Sequence, residues 1–176
     1  MAAVEVKGVA EHRKALRKFE PNLAKELSAE IRRELAPIAR EARGYIPSSS
    51  PMSGWAERPN GYARYPFNSA DMKSGIGFKS TGSKPNRRGF KSQAQIFNKS
   101  AAGAVYETAG RKNPQGKSKQ GAQFINNLGS LYGDRNDRGR AIYRAYANNK
   151  GAAKEAILKA ISTAERKFNE ATREAL

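Results

Sequence analysis

The sequence predicts an α+β fold made of N-terminal amphipathic helices, a small antiparallel sheet with long basic loops, and a C-terminal amphipathic helix. Apolar residues recur at helical spacing near both ends of the 176-residue chain, and short stretches of alternating character lie between them, separated by turn-forming residues. We expect a single domain over 1–176, with N-terminal helices over 1–46, loops and short strands over 47–139, and C-terminal helices over 140–176.

The first third of the chain has one apolar stripe of helical period. Its members are Leu16, Phe19, Leu23, Leu27, Ile31, Leu35, Ile38 and Ala42. Because proline lacks an N–H and its ring clashes with the preceding turn, Pro21 predicts two helices, one over 8–19 and one that begins at Pro21. Pro37 predicts a kink in the second helix, and Gly44 with Pro47 predicts its end.

The middle of the chain reads as loops and short strands. Turn-forming residues are dense in 47–70, which we expect to be a loop whose aromatic residues either pack onto the core or face a partner. Two strands are predicted, over 72–79 and 90–98, joined by a basic loop suited to a hairpin. Small residues follow at 101–109, and 110–139 predicts a second long polar loop.

The last predicted element is a second amphipathic helix. Its apolar stripe consists of Ala153, Ile157, Ile161, Ala164 and Phe168. Gly151 predicts a break between a short helix near 140–148 and the long helix that follows.

The net charge of +17 is concentrated in the middle of the chain. Residues 1–54 have 10 basic and 7 acidic side chains, residues 55–140 have 16 and 5, and residues 141–176 have 7 and 4. A cationic surface attracts nucleic acid or acidic protein partners. We therefore expect the middle segment to be the contact surface and the helices to be its frame.

Composition excludes several classes of protein. The chain has no cysteine, which excludes disulfide scaffolds, zinc fingers and thiol catalysis. It shows no basic-then-apolar leader at its start and no run near the roughly 18 apolar residues of a membrane span, so we expect a chain made in the cytoplasm that does not enter a membrane. Only 38% of its residues are hydrophobic, which favours burial by oligomerisation.

No set of residues predicts catalysis. His12, the single histidine, falls on a predicted helix surface beside charged neighbours. Asp134 and Asp137 could suggest a divalent-ion site, but Arg135 and Arg138 between and beside them favour a salt-bridged turn. A glycine-rich phosphate loop is absent. We expect no enzyme activity, no cofactor and no metal.

The basic loops with interleaved aromatics give the strongest signal for a binding site. The candidate contacts with a partner or with DNA are Lys79, Lys84, Arg87, Arg88, Lys91, Trp55, Tyr62 and Tyr65. The cations can neutralise phosphates, and the aromatic rings could stack on bases. The chain has no recognised nucleic-acid-binding motif, so these cations could equally meet acidic protein neighbours or stay solvated.

The order of segments resembles a known family. A helix ending in Ala-Arg-Glu-Ala-Arg-Gly-Tyr-Ile-Pro at 39–47 is followed by a Ser/Gly loop at 48–54, by short strands, by Ala-Val-Tyr-Glu-Thr-Ala-Gly at 104–110, and by an amphipathic helix. This series resembles the minor tail, or tail-completion, proteins of long-tailed bacteriophages, the group that includes minor tail protein Z. The loop reads Ser-Ser-Ser-Pro-Met-Ser-Gly-Trp instead of the family's Thr-Gly-x-Leu turn, which leaves open which ring the chain would form.

The resemblance implies a structural virion protein. Such a protein would form a ring, usually six-fold, at the neck or top of the tail, completing the tail and joining it to the head connector. Its partners would be other copies of itself, connector or stopper proteins, and tail-tube or terminator proteins, with contact to packaged DNA also open, and it would assemble in the host cytoplasm. The alternative is a cationic DNA-binding accessory protein, and a basic nuclease-like or toxin-like enzyme is a third, weaker one.

Overall fold

The computed structural model describes residues 2–3, 21–55, 65–80, 84–85, 87, 89, 94–134 and 137–174, and its architecture is α+β, as the sequence predicted. The helices are α1 (Pro21–Gly44), α2 (Ser69–Gly75), α3 (Ala101–Thr108), α4 (Lys119–Asn127) and α5 (Ile142–Glu174), and a short 3₁₀ turn covers Ser53–Trp55. The strands are β1 (Ala2–Ala3), β2 (Ile76–Lys79), β3 (Gln95–Asn98), β4 (Tyr132–Asp134) and β5 (Asp137–Gly139). One sheet has the order β1-β3-β2, and β4 pairs antiparallel with β5.

Contacts divide the chain into two compact units. The first contains Ala2 and the described residues of Ile38–Gly77 and Ile96–Asn148. The second contains the described residues of Ala3–Pro37, Phe78–Gln95 and Asn149–Leu176. These units cut across the three segments expected from sequence, because the contact boundary falls inside α1 and inside α5.

Helix α1 begins and ends where the sequence predicted. It starts at Pro21, where a missing N–H costs nothing, and ends at Gly44. The described members of the apolar stripe are all buried: Leu23, Leu27, Ile31, Leu35, Ile38 and Ala42. Pro37 lies inside the helix. The helix predicted over 8–19, with Leu16 and Phe19, lies outside the described residues.

In the second unit, the first part of α1 lies beside the later part of α5. Lys167 Nζ is 2.7 Å from Glu26 Oε2, which joins the two helices at their exposed edges. Beneath this ion pair, α5 buries Ile157 and Ala164, members of its predicted stripe. Arg32 of α1 donates from Nε to the buried Ser80 hydroxyl at 3.2 Å, which ties the residue after β2 to the helix.

In the first unit, the end of α1 is fastened to the sheet and to α3. Arg43 donates from Nε and Nη2 to the Ile76 carbonyl at 3.2 and 2.7 Å. Tyr106 of α3 donates its hydroxyl proton to the Tyr45 carbonyl at 3.1 Å. Both bonds satisfy backbone carbonyls at the end of an element, where no regular partner exists.

The predicted strand over 72–79 is correct only in its second half. Residues up to Gly75 belong to α2, because the Asn68 side chain accepts from the Asp71 N–H at 3.0 Å and caps that helix. Strand β2 covers Ile76–Lys79 and β3 covers Gln95–Asn98, and the two are neighbours in the sheet, as expected for the predicted hairpin.

The prediction of one long polar loop over 110–139 is wrong, because this stretch contains α4 and the β4–β5 hairpin. Ser118 caps α4 by accepting from the Gly121 N–H at 3.1 Å. In the hairpin, Tyr132 pairs with Gly139 and Asp134 with Asp137. Gly and Asn obscured both elements, since these two residue types are weak formers of helices and strands.

The predicted break at Gly151 is also wrong, because α5 runs unbroken from Ile142 to Glu174. Glycine in a helix interior lowers helix stability by only about 1 kcal/mol, and good helix formers on both sides outweigh that cost. Among the described residues, no helix is long and apolar enough to cross a membrane.

Candidate functional site

The cations predicted as contacts are exposed where they are described. Lys79 ends β2, and Lys84 and Arg87 lie between β2 and β3 in the sequence, outside any described helix or strand. All three belong to the second unit, whereas Trp55 and Tyr65 belong to the first. The remaining predicted contacts, Arg88, Lys91 and Tyr62, lie outside the described residues.

Trp55 packs onto the core instead of facing a partner, so it cannot serve as the base-stacking surface that the sequence suggested. Its side chain is 6% exposed and meets Phe67 and Phe124 edge to face, with ring centroids 5.3 and 5.4 Å apart. The indole N–H donates to the Tyr65 carbonyl at 2.7 Å, and the Phe67 N–H donates to the Trp55 carbonyl at 2.7 Å.

Tyr65, by contrast, is exposed. Its ring lies at a shallow cleft that also includes Asn68, Asp71 and Lys99. The cleft has one acidic and one basic side chain, and its floor is formed by small residues at the start of α3. Trp55 and Tyr65 are the predicted aromatic contacts that the structure describes, and of these two Tyr65 is exposed to a partner.

Glu107 is a buried carboxylate that caps the longest helix. It lies on α3 with 6% of its surface exposed. Its Oε2 accepts from the N–H groups of Ala141 and Ile142 at 2.8 and 3.2 Å, and its Oε1 accepts from Tyr143 at 2.9 Å. Negative charge at a helix N-terminus is favoured both by these unpaired N–H donors and by the helix dipole.

Arg140 is a buried cation that satisfies backbone carbonyls, as Glu107 satisfies backbone N–H groups. Only 2% exposed, it donates to the carbonyls at the end of α3, those of Tyr106 and Ala109, at 2.9 and 2.8 Å. It also donates to the Gly129 carbonyl at 2.9 Å. Burial lowers the pKa of Arg140, and the neighbouring Tyr106 and Glu107 oppose this shift.

Two further arginines face the same interior. Arg111 Cζ lies 4.7 Å from the centre of the Tyr143 ring, and Arg138 donates from Nη2 to the Arg111 carbonyl at 2.7 Å. Within the described ranges, buried Arg111 Nε and Nη2 and Arg138 Nε have no hydrogen-bond acceptor. Arg138 of β5 is thus tied to the backbone that follows α3, and the Arg111 side chain packs on α5. Asp134 ends β4 and Asp137 begins β5.

A cluster of polar and aromatic residues surrounds the start of α5. Arg144 Cζ lies over the rings of Tyr45 and Tyr132, 4.0 and 4.3 Å from their centres. Tyr45 donates its hydroxyl proton to Glu41 Oε1 at 2.6 Å, and Asn148 Nδ2 donates to both of those oxygens, at 2.8 Å to Glu41 and 2.9 Å to Tyr45. The hydrogen bond to Glu41 raises the pKa of Tyr45.

Sequence reasoning missed both Glu107 and the cluster at Arg144. Glu107 was visible only as part of the Tyr-Glu-Thr-Ala-Gly motif, and Arg144 only as a residue near a helix start. Within the described ranges, no group of three or more histidine, aspartate or glutamate side chains could hold a metal ion.

Comparison of the chain with protein-family models, with curated proteins and with solved structures found no match.

Proposed function

We propose that this chain is a structural virion protein of a long-tailed phage, a ring subunit at the neck or top of the tail that completes the tail and joins it to the head connector. One observation supports this most directly. One motif of the segment order that carries the resemblance, Ala104–Gly110, contributes two buried side chains, Tyr106 and Glu107, that bind backbone groups of other elements in the first unit.

Tyr106 and Glu107 of that motif form hydrogen bonds to backbone groups of other elements. The Tyr106 hydroxyl binds the Tyr45 carbonyl after α1, and the Glu107 carboxylate caps α5. Gly110 has φ +80°, and a Cβ there would meet Ile125 Cγ2 of α4 at 2.6 Å. A motif that joins four helices serves architecture, which is what a family of structural subunits would retain.

The hydrogen bonds of the buried charged side chains also favour a structural role. Among the described residues, Glu107 and Arg140 are the charged side chains in the core, and their hydrogen bonds go to backbone groups. Catalytic acids and bases need access to a substrate proton. These two groups instead fix helix ends, which suits a scaffold.

The mass of the purified chain tests the proposal. We expect particles of about six times the 19.3 kDa chain mass, or another closed multiple, by light scattering, with rings in negative stain. The measurement should be repeated with purified connector and tail-tube proteins of long-tailed phages, because ring closure can require a neighbouring ring. A chain that stays monomeric in every mixture would overturn the proposal.

The second candidate, a cationic DNA-binding accessory protein, is favoured by the exposure of Lys84 and Arg87 and of Lys112, Lys117 and Lys119. A titration with duplex DNA separates the two functions. If the monomer binds DNA with an affinity that falls steeply between 50 and 200 mM salt, by about 10³-fold or more, the second candidate gains and the first loses.

A further inference from the structure

The guanidinium of Arg144 lies against two aromatic rings, and no described residue accepts a hydrogen bond from it. Its Cζ lies over Tyr45 at 4.0 Å and over Tyr132 at 4.3 Å, distances at which the ring quadrupole attracts a cation. Tyr132 is 40% exposed, so the cluster opens to solvent on the hairpin side. A long side chain that is already ordered loses less entropy when it binds.

No described residue accepts a hydrogen bond from Arg144. Its nitrogens are also not among the buried nitrogens that lack an acceptor, in contrast to those of Arg111 and Arg138. Arg144 is half-buried, and the N–H donors of its guanidinium are therefore not sealed from solvent and are unused by the described part of the chain. Such a fork matches the two oxygens of a carboxylate.

The charges around the cluster argue for a protein ligand over a nucleic acid. Glu41 accepts from Tyr45 and Asn148 on one side, and the hairpin that contains Tyr132 also exposes Asp134 and Asp137. A chain of phosphates binds where several cations accumulate, whereas the described contacts of this cluster bring together one cation, Arg144, with flanking carboxylates. One guanidinium fork is enough for one carboxylate. Tyrosine and arginine together are typical of the centres of protein interfaces.

We propose that Arg144, ordered by Tyr45 and Tyr132, binds an exposed aspartate or glutamate carboxylate of a partner protein. This inference deepens the proposed function, on which it rests for the identity of the partner as a neighbouring virion protein. The binding of the carboxylate itself is a property of the free chain and can be measured without any ring.

The side-chain Nε–Hε resonances of the arginines provide the measurement. The full-length ¹⁵N-labelled chain is titrated with sodium acetate against sodium chloride at fixed ionic strength, and in parallel with dimethyl phosphate. Arg40, exposed on α1 with no ring over it among the described residues, is the internal control. R144K and R40K assign the two resonances.

We expect acetate to saturate Arg144 with an affinity about tenfold higher than Arg40, the gain of one charge-assisted hydrogen bond in an ordered group. Tyr132→Leu should remove that advantage, whereas Tyr132→Phe should keep it, because only the ring is needed. Backbone amide spectra and melting temperatures confirm that each variant is folded.

Three results would overturn the inference: an equal response at Arg144 and Arg40, tighter binding of dimethyl phosphate than of acetate, or an undiminished response in Tyr132→Leu. A negative result for carboxylate binding at Arg144 can be told apart from a negative result for ring assembly. A chain that forms rings without binding acetate at Arg144 would lose only this contact, and a chain that binds acetate but never assembles would lose the ring.

Discussion

At the scale of single residues, the first unit is organised by a pair of buried opposite charges that do not bind each other. Glu107 of α3 satisfies the first N–H groups of α5, and Arg140, just before α5, satisfies the last carbonyls of α3. Each helix thus caps the other. Because α3 is short, its own hydrogen bonds could not hold it without this exchange.

Glu107→Gln should lower the free energy of unfolding by about 3 kcal/mol. The amide keeps one acceptor but turns an NH₂ toward backbone N–H groups, and it removes the negative charge from the helix N-terminus. Urea denaturation at neutral pH measures the change. Glu155→Gln, exposed on the same helix α5, is the matched control and should change stability by less than about 0.5 kcal/mol. Equal effects of the two substitutions would show that the cap contributes nothing.

The raised pKa values of three partly buried tyrosines predict that the free energy of unfolding falls at alkaline pH. Burial raises the pKa of Tyr146 above 10.0, and it is also the main cause of the raised pKa values of Tyr106 and Tyr143. The folded chain therefore holds these protons more tightly than the unfolded chain. Their contribution is complete below the unfolded pKa and is lost as pH rises through the folded pKa values.

Unfolding free energies measured from about pH 8 to about pH 11.5 should be flat at first and then fall. Tyr146→Phe should make the fall shallower, because one phenol no longer ionises in the unfolded state. Tyr65→Phe, at an exposed position in an irregular segment, controls for loss of a hydroxyl. An unchanged alkaline slope in Tyr146→Phe would contradict the assignment.

At the scale of elements, the continuity of α5 is the feature with the clearest consequence. Its residues 142–148 belong to the first unit and its later residues to the second. Gly151, where the sequence suggested a break, lies in the interior of the helix with nothing within 4 Å of a Cβ added there. The glycine therefore has no steric role.

Gly151→Ala should raise the free energy of unfolding by about 0.5–1 kcal/mol, because alanine gives up less backbone entropy in a helix. Gly110→Ala provides a contrast with the opposite sign. At φ +80° and with Ile125 at 2.6 Å from its new Cβ, we expect a loss of about 2 kcal/mol. Thermal unfolding of both variants gives the comparison, and destabilisation by Gly151→Ala would mean that α5 is broken there in solution.

At the scale of the whole molecule, the positive charge is divided between structure and surface. Of the basic residues that make 55–140 so cationic, Arg140 is buried, and Arg111 and Arg138 have buried nitrogens beside α5. The surface available to acidic partners is therefore smaller than the net charge suggests. Lys84 and Arg87 remain fully on it.

Replacing Lys84 and Arg87 with Ser should leave the unfolding midpoint unchanged and should weaken DNA binding by the free chain. If both contact phosphates, the slope of log K against log salt should become shallower by about 1.8. Lys25→Gln with Lys154→Gln, at exposed positions of helices α1 and α5 that the DNA-binding candidate does not use, forms the control pair. An unchanged slope after the Lys84 and Arg87 replacements would show that this segment stays solvated on DNA.

The sequence by itself determined helix α1 and the helical character of α5, but not that α5 runs unbroken through Gly151. The stripe in α1 predicted its buried face, Pro21 its start and Gly44 its end, because helical period and terminal residues act within a few turns of chain. The α+β class and the neighbouring β2 and β3 followed from equally local patterns.

Only the tertiary structure decided the rest. Helix α4 and the β4–β5 hairpin exist within a polar stretch because Phe124 meets Trp55 and because Gly133 and Arg138 pair across the hairpin. The same holds for Glu107, whose carboxylate is a cap only because α5 begins beside it, 34 residues along the chain. Contacts over such distances leave no periodic signal in the sequence, since the residues that make them are chosen for one neighbour and not for a repeating face.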